Sequence, residues 1–305
     1  MKASVVIPSY NGAHKVTNIL AALNDQTLND FEVILVIDGS TDGTSELIDP
    51  KKYNYSLKII DQANSGRAAT RNNGVTKAES ELIIFLDDDM VPENECLKVH
   101  YNHHQSHEGT IMVGAQIMDG STLTSDIQRY KLSLDQKWSN ALKNSNGPMS
   151  NDNLHLTGAN FSISKKSFEQ VGGFDSKLKI VEDIDFAFRA AKLSMAIYYN
   201  YDAFAFHNDH ITCRIYVKKQ REYFNDMKNL MELKPEIKKS FLAAQQDLNM
   251  GAGKKVIYNL LSRKMFVNIV DNANFFRFLL PRNLRYKVYD VIIWGLTKYF
   301  PKRAI

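Results

Sequence analysis

Leu82-Ile83-Ile84-Phe85-Leu86-Asp87-Asp88-Asp89 decides how this chain of 305 residues is read. Five apolar residues without a polar interruption form the pattern of a strand buried on both faces, as in a parallel sheet covered by helices. The three carboxylates that follow repel one another, and a strand end has no structural need of them. A divalent cation bridging a diphosphate would neutralise them, and hard oxygen ligands suit Mn²⁺ or Mg²⁺. The alternative is a solvated acidic turn, or an N-cap for a helix after Pro92.

Toward the N-terminus the same pattern repeats. Apolar, β-branched runs at Ser4–Ile7, Phe31–Ile37 and Leu57–Ile60 predict three more strands. Between the first two, Val16, Ile19, Leu20 and Leu23 recur at helical spacing. Further helices are expected from Thr44, behind the turn Gly39-Ser40-Thr41-Asp42-Gly43, and from about Arg67 to Lys77. This alternation predicts the α/β class: a doubly wound, mainly parallel sheet with helices on both faces. Sheets of this kind bind ligands at the carboxyl ends of their strands. Asp38 stands at such an end and could accept a hydrogen bond from a base or ribose. A helix-capping turn explains it equally well, although Asp42 or Thr41 could cap without it.

Toward the C-terminus the periodicity weakens between Val91 and Asn153, with one expected strand at Thr110–Ile117 and an exposed polar loop at Asn144–Pro148. Strand signals return at His155–Ile163 and Met195–Phe206, with a turn at Gly172-Gly173 and a helix at Asp183–Lys192 between them. Glu182-Asp183, before that helix, reads alone as compensation of the helix dipole. Beyond Ile211, Ile215, Tyr216, Tyr223, Met227, Leu230 and Met231 predict a long amphipathic helix, and helical signals continue to the end. His100, His103, His104 and His107 lie in a stretch rich in Asn and Gln, and a solvated helical face is expected of them. Near the C-terminus, Phe275, Phe276, Phe278, Leu279 and Leu280 alternate with Arg277, Arg282, Arg285 and Lys287, ahead of the run Val291–Phe300. Such a basic, aromatic helix could lie on an anionic membrane. Packing on the catalytic domain, or on another subunit of a homo-oligomer, is equally consistent.

The net charge of +4 gives no reason to invoke nucleic acid. Cys96 and Cys213 have no metal-ligand spacing and offer no disulfide framework. After Lys2 the chain runs straight into a strand, and no apolar run reaches the length of a membrane span. A cytoplasmic protein, soluble or attached at the inner face of the cell membrane, is expected.

Five segments in order carry a resemblance. They are Val5-Val6-Ile7-Pro8-Ser9-Tyr10-Asn11, Val36–Thr44, Asn64-Ser65-Gly66 with Ala69-Thr70-Arg71-Asn72, Phe85–Asp89, and Gly172-Gly173-Phe174-Asp175 leading to Glu182-Asp183 and Arg189. Together they resemble the motifs of the family 2 glycosyltransferases over about residues 3–210. The resemblance implies a GT-A catalytic domain at 1–212, with a nucleotide-binding half at 1–98 and an acceptor and catalytic half at 99–212, followed by a helical region at 213–305. It implies inverting transfer of a sugar from a nucleotide-diphospho-sugar, a UDP-sugar, to a hydroxyl of a glycan or glycolipid in surface polysaccharide synthesis.

On that resemblance Tyr10, between Pro8 and Asn11, stacks on the nucleobase, and Asp38 accepts from a uracil N–H. Gly66 and Arg71 lie near the nucleotide, Arg71 being equally suited to a salt bridge within the site. Asp88 faces the ribose. Asp87 and Asp89 match the ends of an Asp-x-Asp metal motif, with Asp89 the direct ligand. His207 completes the metal shell or, as an isolated histidine, is a hydrogen-bonded core residue. Gly158, Ala159 and Asn160, with Glu182, approach the donor sugar or acceptor; a strand bulge or tight turn is the plain alternative for the first three. Asp183 matches the general base that takes the proton of the acceptor hydroxyl. The cation would stabilise charge on the departing diphosphate as a Lewis acid.

Two other enzyme classes fit less well. A sugar-nucleotide pyrophosphorylase calls for a Gly-rich loop after the first strand, and a nicotinamide dehydrogenase for Gly-x-Gly-x-x-Gly. Pro8-Ser9-Tyr10-Asn11 occupies that position. A catalytically silent sugar-nucleotide-binding scaffold would be marked by loss of the acidic triplet or of Asp183, and both are intact.

Overall fold

The four N-terminal apolar runs become strands β1 (Ala3–Ser9), β2 (Phe31–Asp38), β3 (Ser56–Gln62) and β4 (Leu82–Leu86) in the computed structural model. The structure describes the chain apart from residues 144–146, 151–153, 208–210, 238–250 and 273–279, and apart from the side chain of residue 252. The remaining strands are β5 (Met90–Pro92), β6 (Ile111–Ile117), β7 (Asn160–Ser164) and β8 (Ile197–His207). Together they form one sheet in the order β3-β2-β1-β4-β7-β6-β8-β5.

The first four strands pair in parallel. Every residue of β2 is buried, as the apolar run Val33–Ile37 requires, and the one charged residue inside it, Glu32, is met by the Ser4 hydroxyl and Lys58. Alternation sorts the side chains by face. Val5, Ile7, Val33 and Leu35 pack with Val16, Ile19, Leu20 and Leu23 of α1 (Val16–Asn24). Val6, Ile34, Val36 and Phe85 pack on the other face with Ala68 and Val75 of α2 (Arg67–Lys77). Gly74 lets α2 approach, since a Cβ there would stand 2.4 Å from the Val6 side chain. The doubly wound half is therefore as expected.

Beyond β4 the sheet is mixed. β7 runs antiparallel to both β4 and β6, while β6 and β8 are parallel. The strand expected at His155–Ile163 starts only at Asn160.

The helix expected from Thr44 does not form; a turn is followed by a single 3₁₀ turn at Pro50–Lys52. Asp42 takes both the backbone N–H and the hydroxyl of Thr44, which draws the segment into a local turn. Pro50 then offers no N–H to continue a helix. A helix the composition did not announce, α4 (Asp126–Lys143), occupies the weakly periodic stretch.

The chain divides into two compact units, Met1–Met118 with Trp138–Asn208, and Asp119–Lys137 with Asp209–Ile305. The single boundary expected near residue 212 thus differs from the observed division by the excursion at 119–137. Ile127 and Tyr130 of α4 join the core of the second unit with Cys213, Val217, Val267, Tyr289, Ile292 and Leu296. Among the described residues it also holds α7 (Cys213–Leu233), α8 (Ala252–Leu261), α9 (Lys264–Asn272) and α10 (Arg282–Trp294), the last continued by a π-helical turn at Gly295–Tyr299. The first unit also holds α3 (Cys96–Ser106), α5 (Lys165–Val171) and α6 (Glu182–Lys192).

One residue of the basic C-terminal run, Arg285, is explained inside the second unit. Arg285 is buried and forks onto both Asp126 oxygens at 2.8 and 3.1 Å, while the Tyr289 hydroxyl donates to Asp126 at 2.7 Å. Ile292, Ile293 and Leu296 are buried with them. The apolar face of α10 that carries these residues is thus occupied by the unit's own core, which is the packing alternative expected for it. Phe275, Phe276, Arg277, Phe278 and Leu279 lie outside the described residues. Among those described, no helix is long and apolar enough to cross a membrane.

Candidate active site

The loop after β1 is laced to the loop after β2. Asn11, at φ 48°, accepts from the Thr41 N–H at 2.9 Å and gives its own N–H to Ser40 Oγ at 3.0 Å. The Gly12 N–H donates to Thr44 Oγ1 at 3.1 Å and that of Ala13 to Asp42 Oδ2 at 3.0 Å. The polar residues of Gly39–Thr44 therefore fix the mouth of the β1 loop.

Asp38 closes the next loop. Its Oδ1 accepts from Gln62 Nε2 and the Ser65 N–H, each at 2.8 Å, and its Oδ2 from the Gly66 N–H at 2.9 Å. Burial raises its pKa, but the Gln62, Ser65 and Gly66 donors outweigh burial and hold the carboxyl below its ordinary value. Asp38 is thus an ionised anchor for the Gln62–Gly66 bend as well as a wall of the cavity described below.

The acidic triplet splits three ways. Asp87 Oδ1 meets Arg71 Nη2 at 2.7 Å. Asp88 is buried, with Oδ2 accepting from Ser9 Oγ at 2.6 Å and Oδ1 standing 2.8 Å from Lys15 Nζ. Burial pushes the Asp88 carboxyl up, against the pull of Lys15 and Ser9. Asp89 stands 3.6 Å from Lys15 Nζ and 3.5 Å from His207 Nε2. The last contact follows from register: Met90 pairs with His207 across the antiparallel β5–β8 ladder, so the residue before β5 falls beside the end of β8.

This donor set can be tested against a divalent cation. Among the described residues no three His, Cys, Asp or Glu groups are gathered as a ready cage. Asp87, expected as a ligand, gives Oδ1 to Arg71 and lines the cavity wall. Asp89 and His207 do converge, and a hard cation is commonly held by one or two carboxylates plus substrate phosphates. Asp89 and His207 therefore fit such an ion when a diphosphate supplies the remaining oxygens.

On the acceptor side, Arg71 is 2% exposed and joins Asp87 to Glu182 Oε1, the latter also at 2.7 Å. Burial would lower its pKa, but Asp87 and Glu182 raise it further. Arg71 thus makes the internal salt bridge that was one of the two roles open to it. Gly158 makes room for the guanidinium: a Cβ there would lie 2.6 Å from the Arg71 Cζ. Asp183 follows Glu182 in the first turn of α6 and is half-buried. It accepts from the Ile184 N–H at 2.8 Å and the Gly158 N–H at 3.3 Å. Burial first, then the Glu182 charge, raise the Asp183 pKa, with Arg71 opposing. Asn72 fixes the preceding turn, exchanging hydrogen bonds of 2.8 and 2.9 Å with the Phe174 backbone.

Asn160 is not available to a sugar. It is fully buried, with Nδ2 donating to Ala115 O at 3.0 Å and Ala203 O at 2.9 Å, and Oδ1 accepting from His100 Nε2 at 2.9 Å. His100 and His104 both reach Ser162 Oγ, at 2.7 and 2.8 Å. The histidines expected on a solvated face therefore turn partly inward, because Asn160 and Ser162 on β7 need polar partners. Burial depresses His100 to about 4 and His104 to about 3, so both are neutral. Ala159 contributes its carbonyl, which accepts from the Asp87 N–H at 3.2 Å.

A cavity of about 580 Å³ gathers Pro8, Tyr10, Asp38, Gly66, Asp87, Asp88 and Asp89 in its wall. Asn11, Arg71, Gly158, Glu182, Asp183 and His207 do not line it. Ser9, Asn64, Ser65 and Thr70 line it from the segments that carry the resemblance, and Lys15, Arg67 and the stretch Ser176–Lys179 line it without having been singled out as site residues in sequence. The place of Lys177 and Lys179 just after Gly172-Gly173-Phe174-Asp175 is the signal that marks them; Lys15 has no such cue.

With this geometry in view, the chain matches glycosyl transferase family 2 over residues 4–172, more than half its length, and it belongs to that family. Among similar proteins, a cholesterol galactosyltransferase of Borreliella burgdorferi is 36% identical over 112 residues, 36% of this chain and 31% of that protein. A poly(ribitol-phosphate) beta-glucosyltransferase of Bacillus spizizenii is 35% identical over 119 residues, 37% of this chain and 19% of that one. The match to the first of these spans about a third of that relative's length. In structure the chain is similar to TarS 1–349 of S. aureus in complex with UDP-GlcNAc, at TM-score 0.58, 19% identity, and coverage of 99% of this chain and 93% of that. It is also similar to the mannosyltransferase PcManGT of Pyrobaculum calidifontis in complex with GDP-Man and Mn²⁺, at TM-score 0.61, 14% identity, and coverage of 99% and 88%. These likenesses establish the GT-A type of fold.

Proposed function

We propose that the chain transfers a sugar from a nucleotide-diphospho-sugar to an acceptor hydroxyl, with inversion, using Asp183 as the base. The observation that carries the reading is Arg71, whose guanidinium ties the acidic strand end at Asp87 to Glu182, the neighbour of Asp183. One buried cation thus couples the donor end of the site to the candidate base. Tyr10, 54% exposed at the cavity wall, offers a free ring face for a nucleobase. Asp88 and Asp38 line the same cavity for ribose and base. Asp89 and His207 are the residues that would hold Mn²⁺ or Mg²⁺, which when bound would stabilise charge on the leaving diphosphate.

Glu182 is suited to orient a sugar hydroxyl. It is 2% exposed, and its Oε2 has no hydrogen-bond partner among the described residues. A buried carboxylate oxygen left open in this way favours a polar ligand. Asp183, with its pKa raised toward neutrality by burial, is a stronger proton acceptor than an ordinary aspartate. A base on the acceptor side and an ion on the donor side suffice for direct displacement, which inverts the anomeric carbon without a covalent enzyme intermediate.

The donor is expected to be a UDP-sugar, and the acceptor a glycan or glycolipid of a surface polysaccharide. Melting of the full chain with UDP- and GDP-sugars, with and without Mn²⁺, tests the donor. A nucleotide sugar at a hundred times its Kd stabilises by about 2.7 kcal/mol; no shift with any nucleotide sugar overturns the reading. Peripheral contact with an anionic membrane belongs on α8, where Val256, Ile257 and Leu260 are exposed beside Lys254 and Lys255. Flotation with anionic vesicles that weakens as salt rises is its check.

A further inference from the structure

Lys15 closes the turn that starts at Gly12: the Lys15 and Val16 N–H groups both donate to the Gly12 carbonyl at 2.9 Å. From that anchored position its Nζ reaches Asp88 Oδ1 at 2.8 Å and Asp89 Oδ2 at 3.6 Å. The side chain is 25% exposed and forms part of the cavity wall. Lys15 therefore stands on two carboxylates of the triplet from inside the donor cavity. A hard cation on Asp89 would compete with the ammonium for the same charge.

We propose that Lys15 is a displaceable counter-ion of the donor pocket: it balances Asp88 and Asp89 before the donor arrives, then passes to the diphosphate, so that nucleotide and divalent ion bind together. The inference deepens the donor-site reading above and rests on it. A divalent ion and the Lys15 ammonium carry three positive charges against the two negative charges of Asp88 and Asp89, so a free ion must displace Lys15 with nothing to receive it. A diphosphate removes that conflict, because its oxygens accept the ammonium. Lysine suits the exchange, being a compact charge on a flexible four-carbon stem. Ser9, bonded to Asp88, keeps that carboxylate in place as the ammonium leaves. The consequence is a positive coupling between nucleotide and metal, equal in both directions.

The test is binding of Mn²⁺ to the full chain, read from the electron paramagnetic resonance signal of the free ion, with and without UDP. Wild type should bind Mn²⁺ weakly alone and on the order of tenfold or more tightly with UDP, within the 5–150-fold span usual for coupled sites. Lys15→Met should bind Mn²⁺ alone on the order of tenfold more tightly than wild type, with the effect of UDP shrunk to match. Lys15→Arg, which keeps the charge, should behave as wild type and shows that the turn still folds. A Lys15→Met protein with wild-type Mn²⁺ affinity and undiminished coupling to UDP overturns the assignment of Lys15 alone. Wild type that binds no Mn²⁺ even with UDP overturns the metal reading of the donor site, and this inference with it.

Discussion

Arg71 and Glu182 are 111 positions apart in the chain, and their side chains meet at 2.7 Å. Both are almost fully buried, so removing the cation leaves Glu182 and Asp87 without their partner in a low-dielectric setting. Arg71→Met should therefore destabilise the chain by roughly 3–5 kcal/mol, the usual result of breaking a buried pair from one side. Arg71→Lys should recover only part of this, since a single ammonium does not replace the two-pronged fork that reaches both carboxylates. Urea unfolding of the three proteins decides it; a loss below about 1 kcal/mol would put the pair in the class of exposed ion pairs.

Much of this arrangement is legible in the sequence, for identifiable reasons. β1, β2 and β4 are buried on both faces, so their runs are apolar apart from the bonded pair Ser4 and Glu32, and Asp38 and Asp87–Asp89 are conspicuous at their ends. β7 contains Asn160 and Ser162, whose polarity is matched by His100 and His104 from α3 and by the Ala115 and Ala203 carbonyls, a pairing no local pattern announces. α4 escapes because its apolar residues serve the core of the second unit. Lys15 reads as one basic residue before a helix, and its role exists only once β1 and β4 are adjacent in the sheet. The helix expected from Thr44 fails for a local reason, the capture of Thr44 by Asp42.

Gly12 should tolerate no side chain. A Cβ at this position would stand 2.2 Å from Ser9 Oγ and 2.6 Å from Asp88 Oδ2. Gly12→Ala must therefore part Ser9 from Asp88 or move the loop, at a cost of about 1–3 kcal/mol. Calorimetric titration with UDP and Mn²⁺ should show weakened binding, since the displaced carboxylate lines the donor cavity. Unchanged affinity would remove Asp88 from the nucleotide site.

Asp89 and His207 should act together on metal-dependent binding. Asp89→Ala is expected to abolish the Mn²⁺-dependent part of UDP affinity. His207→Ala should weaken it by about 10–100-fold, the range seen when groups around a metal are lost. Asp87→Asn should act differently, lowering stability through Arg71 more than it changes the Mn²⁺ requirement. Metal-dependent binding that survives intact in Asp89→Ala contradicts the assignment.

Asp183 is where the proposed chemistry is most exposed to refutation. A base acts on the acceptor, so Asp183→Asn should leave UDP affinity nearly unchanged while transfer falls by roughly 10²–10⁴-fold. Glu182→Gln, which keeps a hydrogen-bonding group beside Arg71, should cost much less. The raised pKa adds two pH signatures. The base must be ionised, so turnover should rise with pH through the Asp183 pKa, which burial lifts to about 7. The stability effect has the opposite sign. Between the unfolded value of about 4 and the folded value, the native state holds the proton more tightly than the unfolded chain does. Wild type should therefore lose stability as pH rises through that window, and Asp183→Asn should lack this loss, becoming the relatively more stable protein above neutrality. If Asp183→Asn keeps more than about a tenth of wild-type turnover, the loss falls short of the general-base range and the base lies elsewhere, with Glu182 the first place to look. If the mutant instead loses UDP binding, Asp183 belongs to the donor site and the central step proposed for this chain is wrong.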